Sequence, residues 1–337
     1  MLFEYRRELA GGALLTTLNL ESELLQGNPL GDPCVRSHVV LLPPKVQPGL
    51  PLVTVLVGYT GFNHKVVNKS SMWEPTVPER IANGMASGEI PPAIFVWPSC
   101  ETRLGGSQYI DSLGTGPYMS YVLDEIIPAV ESEYACGGVG RRVIAGKSSG
   151  GFGALSLVMN RPGYFTAAAS HAGDIGFDMS HFRGFADALT CWKKHGGPAA
   201  FLEKLPELHL GFSEHAGVEG LAMASCYSPN PNAELGFDLP VDPETGDICH
   251  EVFAKWLKFD PLCLVEQEAC AQALRDLNCL YLDAGETDEF ALQWGLKRFR
   301  EKLVGLNVPA HIEFFPGGHF RMDDRFAVSL PMLLGAL

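Results

Sequence analysis

Arg142-Val-Ile-Ala-Gly146-Lys147-Ser148-Ser149-Gly150-Gly151-Phe152-Gly153, running on into Ala154-Leu-Ser-Leu-Val-Met-Asn160, decides how the rest of this sequence is read. The first five residues are apolar and β-branched enough to be a buried strand, and the last seven are helical in composition. Between them lies G-x-S-x-G, which in the order strand, turn, helix is the context of a nucleophile elbow. That chemistry needs a serine on a strained, exposed turn. Glycines two before and two after it leave room for strand and helix to approach. Only Ser148 has glycine at both places; Ser149 has Lys147 two residues before it. Ser149 instead suits an oxyanion hole, because the backbone N–H of the residue after the nucleophile points at the developing charge. A glycine-rich turn between strand and helix is also common without catalysis, so the motif counts through its context. The tail GKSS invites a phosphate-binding reading, but G-x-x-x-x-G-K-[ST] requires glycine at position 141, where the chain has Arg141.

Outward from the elbow, short apolar runs alternate with helical stretches. The runs are VTVLVG at 53–58, AIFVWP at 93–98, RVIAG at 142–146, TAAAS at 166–170, LNCLYLDAG at 277–285 and HIEFFPG at 311–317. Runs apolar at every position are buried on both faces, as a parallel sheet demands. Residues 118–134 carry Tyr118, Tyr121, Val122, Ile126 and Val130 along one helical face, and 289–304 carry Leu292, Leu296, Phe299 and Leu303. Segments 14–22 and 35–43 mix polar and apolar positions, which predicts antiparallel strands at one edge. The expected fold is α/β, a doubly wound, mostly parallel sheet with antiparallel N-terminal strands. Residues 175–276 break the alternation over a span far longer than an ordinary connection. They are expected to form a cap, leaving 1–174 and 277–337 as the core domain.

The chain has 337 residues, 46% of them hydrophobic, with 25 Lys and Arg against 39 Asp and Glu and a net charge of −14. That balance excludes readings built on neutralising phosphates, so no nucleic-acid partner is expected, and no anionic membrane surface. Nine cysteines with no C-x-x-C pair suit reduced thiols. The N-terminus lacks a secretory pattern, and no run approaches the ~20 apolar residues that cross a bilayer. A cytoplasmic protein acting on a small molecule is expected, with a homo-oligomer left open.

A serine nucleophile needs a base and an acid beyond the ends of late strands, in the order serine, acid, histidine. His319 follows Pro316-Gly317-Gly318 just past the strand at 311–317, whereas the other histidines precede the serine, fall in the cap or sit at a wrong strand end. His171, in HAGD after a strand, is expected to line the pocket instead. For the acid, LNCLYLDAGETDEF offers Asp288, which fits best, then Glu286, then Asp283. Asp288 is equally suited to capping the next helix. The second oxyanion donor should come from the loop Gly58-Tyr59-Thr60-Gly61, with Tyr59 ahead of Thr60. Thr60 and Trp97 are further pocket candidates. No metal or other cofactor is implied: there is no H-E-x-x-H, and His209 and His215 are six apart, off the spacing of one helical face.

GSQYIDSLGTGPYMSYVLDEIIPAVESEY, the elbow, SHAGD, YLDAGETDEF and GGH together resemble the esterase family that includes esterase D, the enterochelin esterases and the mycolyltransferase antigens, over roughly residues 50–337. The resemblance implies an α/β-hydrolase fold and a metal-independent serine hydrolase or acyltransferase. It implies Ser148 as nucleophile, Asp288 at the G-x-x-D, His319 at the G-x-H, and Tyr59 with Ser149 as oxyanion donors. Two positions depart: Lys147 stands where relatives often have His, and the early loop reads GYTG. Both bear on the substrate more than on the chemistry. The expected activity is hydrolysis of short to medium carboxylic esters, with acyl transfer by the same triad as the alternative and a non-catalytic or nucleotide-binding protein as a distant third.

Overall fold

The computed structural model describes residues 4–69, 71–209 and 211–337. RVIAGK, the strand of the elbow, lies inside a nine-stranded sheet. Its strands are β1 (Arg6–Glu8), β2 (Leu14–Glu21), β3 (Val35–Leu42), β4 (Leu52–Leu56), β5 (Ile94–Trp97), β6 (Arg142–Lys147), β7 (Ala167–His171), β8 (Cys279–Gly285) and β9 (His311–Phe315). The order across the sheet is β1-β2-β3-β5-β4-β6-β7-β8-β9. β1, β2, β3 and β5 pair antiparallel, and from β5 onward every pairing is parallel. This is the α/β-hydrolase architecture. β1 escapes a reading of the sequence because its three residues are all exposed and carry no apolar pattern.

Alternate residues of the central strands serve opposite layers, which is why the runs read as apolar throughout. Ile144, Ala168, Leu280 and Leu282 face one core, and Val143, Ala145, Ala167, Ala169 and Tyr281 face the other. The helices used below are α1 (Val77–Ser87), α2, α3 (Ser149–Asn160), α4 (Phe182–His195), α5 (Phe212–Tyr227), α6 (His250–Leu257), α7 (Glu268–Arg275), α8 (Leu292–Gly305) and α9 (Arg325–Gly335). The first core is covered by α2, α3, α7 and α8, and the second by α1 and α9. α2 is continuous over Tyr118–Ser120, Tyr121–Ile126 and Ile127–Tyr134, with a π-helical middle. Pro128 lies two residues past that middle, and a proline can neither donate to the carbonyl four residues back nor avoid its bulk, so the turn before it widens.

Residues 175–276 divide between two cores. Phe177, Phe185, Trp192, Phe201, Leu221, Tyr227 and Trp256 form an aromatic cluster of their own, joined to the sheet domain through Tyr59 and Phe152. Leu262, Leu264, Cys270, Ala271 and Leu274 belong instead to the core on the sheet, so α7 is a crossover helix of that domain. The change falls at Asp260. Its buried carboxylate accepts the N–H groups of Gly176 (3.0 Å), Phe177 (2.8 Å) and Leu262 (2.9 Å), pinning the start of the insertion to its end. No described helix is long and apolar enough to cross a membrane.

A buried polar network holds the carboxyl half of the sheet. His171 Nδ1–H donates to Asp283 Oδ1 (2.9 Å) while its Nε2 accepts the Ser329 hydroxyl (2.9 Å). Arg325 on α9 donates to Asp283 Oδ2 (2.8 Å), the Tyr281 hydroxyl (2.6 Å) and Glu313 Oε2 (2.6 Å). Burial drives the Asp283 carboxyl up, but His171 and Arg325 outweigh it and hold the group below its ordinary 3.8. The network ties β7, β8, β9 and α9 together. Removing one member of a buried charge cluster strands the others, so Arg325→Leu is expected to lower the unfolding free energy in urea by about 3 kcal/mol, and a loss under about 1 kcal/mol would contradict this role.

Candidate active site

Ser148 sits where β6 turns into α3, with φ 58° and ψ −127°. A side-chain-bearing residue rarely adopts a positive φ, and such strain persists only where the surroundings enforce it. Here they do. The Ser148 N–H donates to the His171 carbonyl (2.8 Å), and its own carbonyl accepts from Phe152 N–H (2.9 Å) as the first turn of α3 closes. A Cβ on Gly146 would stand 2.1 Å from the Gly150 carbonyl oxygen, and one on Gly150 would stand 2.2 Å from that of Leu56. Both glycines of the motif are therefore required by close backbone approach. The turn leaves Ser148 half-buried, on the wall of a cavity of about 920 Å³.

His319 lies on the same cavity, just beyond β9, and is 5% exposed. Its Nδ1–H donates to Asp288 Oδ2 at 2.9 Å. Asp288, also 5% exposed, uses its other oxygen to accept the N–H groups of Phe290 (2.9 Å) and Leu292 (3.4 Å). One oxygen of the carboxylate thus holds the histidine and the other holds the turn before α8, whose N-cap is Ala291 and not Asp288. The loops carrying the pair are joined by Glu286 N–H to Phe315 O and Thr287 N–H to Gly317 O, each 2.9 Å, and Glu289 accepts the His319 backbone N–H at 2.5 Å. Of the other acids weighed from the sequence, Glu286 is exposed and Asp283 is engaged by His171 and Arg325. With Nδ1–H committed to the carboxylate, His319 Nε2 is the acceptor. Among the described residues no hydrogen bond joins it to Ser148; such bonds are often long in the absence of substrate.

The loop after β4 backs onto Ser148: a Cβ on Gly58 would lie 3.4 Å from Ser148 Cβ and 3.9 Å from its Oγ. Tyr59 turns its ring inward, its hydroxyl donating to the Leu104 carbonyl (2.5 Å), and burial pushes that phenol far above its ordinary range. Among the described residues the backbone N–H groups of Tyr59 and Ser149 donate to no protein acceptor. Thr60 is exposed, and its hydroxyl accepts from Lys65 Nζ (3.1 Å). Thr60 and Trp97 line the cavity. His171 does not: it is fully buried between Asp283 and Ser329, and what reaches the elbow from it is its main-chain carbonyl. A histidine two-sidedly satisfied inside the sheet has no nitrogen left for a ligand.

The structure adds residues that sequence reading missed. Asp174, three beyond His171, is 9% exposed, lines the cavity and accepts the Ser149 hydroxyl on Oδ2 (3.2 Å). Glu219 reaches the cavity from α5. An acid three residues past a strand end could have flagged Asp174; nothing in the pattern of α5 marks Glu219. Lys147 points to the mouth, 3.7 Å from Asp323. Of the cap aromatics, Trp256 lines the cavity, whereas Phe177 and Trp192 pack the cap.

A family model described as "Putative esterase" matches residues 34–337. No curated protein matches the chain by sequence. Among solved structures, a ferulic acid esterase is similar with a TM-score of 0.64 at 19% identity, over 96% of this chain and 99% of that one. An S-formylglutathione hydrolase from Agrobacterium tumefaciens has 0.59 at 17%, over 99% and 98%. The fluorophosphonate-binding serine hydrolase F of Staphylococcus aureus has 0.58 at 16%, over 96% and 98%. At such identities these likenesses bear on the fold.

The strain at Ser148 is open to measurement. Ser148→Gly relieves about 1–3 kcal/mol of backbone strain against about 0.5–1 kcal/mol of added chain entropy. The variant is expected to be about 1 kcal/mol more stable in urea denaturation; a destabilised variant would contradict the strained turn.

Proposed function

The chain belongs to the esterase family, and from that membership we propose that it is a serine carboxylesterase, hydrolysing short to medium carboxylic esters through Ser148, His319 and Asp288. The observation that carries this reading is the shared cavity, in which a serine on an enforced turn meets a histidine whose far nitrogen is held 2.9 Å from a buried carboxylate. Asp288 fixes the tautomer, so Nε2 is free to take the Ser148 proton as Oγ attacks the ester carbonyl. Charge then develops on the carbonyl oxygen. The unengaged N–H groups of Tyr59 and Ser149 suit that oxygen, and the positive end of α3 adds to them. His319 next gives its proton to the leaving alcohol, leaving an acyl group on Ser148. Water, deprotonated by the same nitrogen, releases the acid. A cavity of about 920 Å³ accommodates both halves of such an ester.

Two experiments test the reading. A fluorophosphonate probe mapped by mass spectrometry is expected on Ser148 alone, with no labelling of Ser148→Ala; modification elsewhere, or none, would remove the nucleophile from the account. Asp288→Asn keeps an oxygen for the Phe290 and Leu292 N–H groups but loses the tautomer control. Its kcat on a p-nitrophenyl ester is expected to fall about 10³- to 10⁴-fold, and a drop of less than about tenfold would assign the acid elsewhere.

A further inference from the structure

Two carboxyl groups line the same cavity as the residues assigned to hold the oxyanion. Asp174 comes from the loop after β7, where its Oδ2 accepts the hydroxyl of Ser149. Its Oδ1 has no protein partner among the described residues, although the residue is nine-tenths buried and lines the cavity. Glu219 comes from α5. Its side chain is 32% exposed and lines this cavity, with the imidazole His215 Nδ1 at 3.8 Å. The carboxyl is close enough to Asp174 and Tyr59 to feel the charge of the first and raise the phenol of the second.

Such a pair is electrostatically wrong for a site that must stabilise an oxyanion, unless a positive charge joins it. Apart from His319, whose charge acts on Asp174, the described residues do not supply one. Neither carboxyl has a Lys or Arg partner among the described residues. The cations on the cavity wall are used elsewhere: Lys65 on Thr60 and the Phe62 ring, Lys69 on Glu79, Lys147 on Asp323, while Arg183 is exposed. His215 does not serve, since burial and then Lys65 hold its pKa below the usual imidazole value. His181, also on the wall, is pushed down to about 4 by burial. The wall also carries aromatic side chains, among them Tyr59, Phe185 and Trp256, beside aliphatic ones and the further acids Asp187 and Glu289. Aromatic faces with nearby carboxylates are the setting in which ammonium groups bind.

Resting on the esterase reading, we propose that the cavity accepts an ester bearing a positively charged group, a protonated or quaternary amine, and that Asp174 and Glu219 select it. In the empty site both carboxyls are drawn toward their neutral forms. Burial lifts Asp174 to about 6 against the pull of His319 and the Ser149 hydroxyl, with Asp288 and Asp260 adding to the rise; burial and then Asp174 lift Glu219 to about 7. A bound cation would hold both as carboxylates and cancel their repulsion of the oxyanion. The net charge of −14 draws cations toward the protein at long range.

The test is a matched panel of p-nitrophenyl and thiol esters in which a trimethylammonium group, its neutral tert-butyl isostere or a carboxylate is placed on the acyl side or on the alcohol side. In at least one series kcat/KM for the cation is expected to exceed that of the isostere by about tenfold or more, with the anion poorest. The cation-to-isostere ratio should fall about tenfold in Glu219→Gln and in Asp174→Asn, and Glu219→Lys should favour the anion over the cation. Labelling of Ser148 by a fluorophosphonate certifies that each variant is folded. Equal turnover of cation and isostere in both series, or a ratio unmoved in all three variants, overturns the inference while leaving the esterase reading intact. No turnover of any ester, together with an unlabelled Ser148, would instead mean that the esterase reading has failed.

Discussion

The backbone of Ser148 is the constraint from which the site follows. A serine at φ 58° can be held there only by a rigid frame, and the frame is the centre of the parallel sheet. β6 is flanked by β4 and β7; its last residues meet the start of α3 too closely for a side chain at Gly146, and α3 meets the end of β4 too closely for one at Gly150. The main-chain carbonyl of His171, at the end of the neighbouring strand, takes the Ser148 N–H. Strand packing, glycine spacing and helix start thus converge on one turn. That turn lifts the hydroxyl into the cavity and leaves the Ser149 N–H at the positive end of α3.

Among the described residues two histidine–carboxylate pairs share a 2.9 Å geometry, and their surroundings separate them. Asp283 with His171 is sealed in the sheet, with Arg325 neutralising the carboxylate and Ser329 occupying the second nitrogen. That Ser–His–Asp arrangement has no access to a ligand, and it acts as a cross-link among β7, β8 and α9. Asp288 with His319 lies on loops beyond β8 and β9, where the second nitrogen is unspent and a cavity adjoins. The buried pair fixes the strands from whose ends the second pair projects.

The elbow and the parallel strands were legible because their causes are local. Glycine is demanded by close approach at two positions, and strands covered on both faces must be apolar throughout. His319 was legible from its place past a strand end. The choice among Asp288, Glu286 and Asp283 was only ranked, since all three lie within one short loop and differ by which partner the fold brings near. His171 misled because a strand-end histidine before Gly-Asp looks alike whether it faces a pocket or the sheet, and its partner Ser329 is 158 residues away. Glu219 was illegible for the same reason, and Asp174 offered only its place past a strand end: their meaning comes from α5 and the β7 loop sharing a wall. The insertion also read as a single block, whereas packing assigns α7 to the sheet, where Ala271 and Leu274 lie in the core against α3.

The central claim is that the Ser148 turn presents a nucleophile opposite two prepared N–H donors. A crystal structure of the chain inactivated by a fluorophosphonate tests it most directly. The account requires phosphorus bonded to Ser148 Oγ, with the phosphonyl oxygen about 2.7–3.1 Å from the backbone nitrogens of both Tyr59 and Ser149. An adduct on another residue, or a phosphonyl oxygen turned away from both nitrogens, would contradict it.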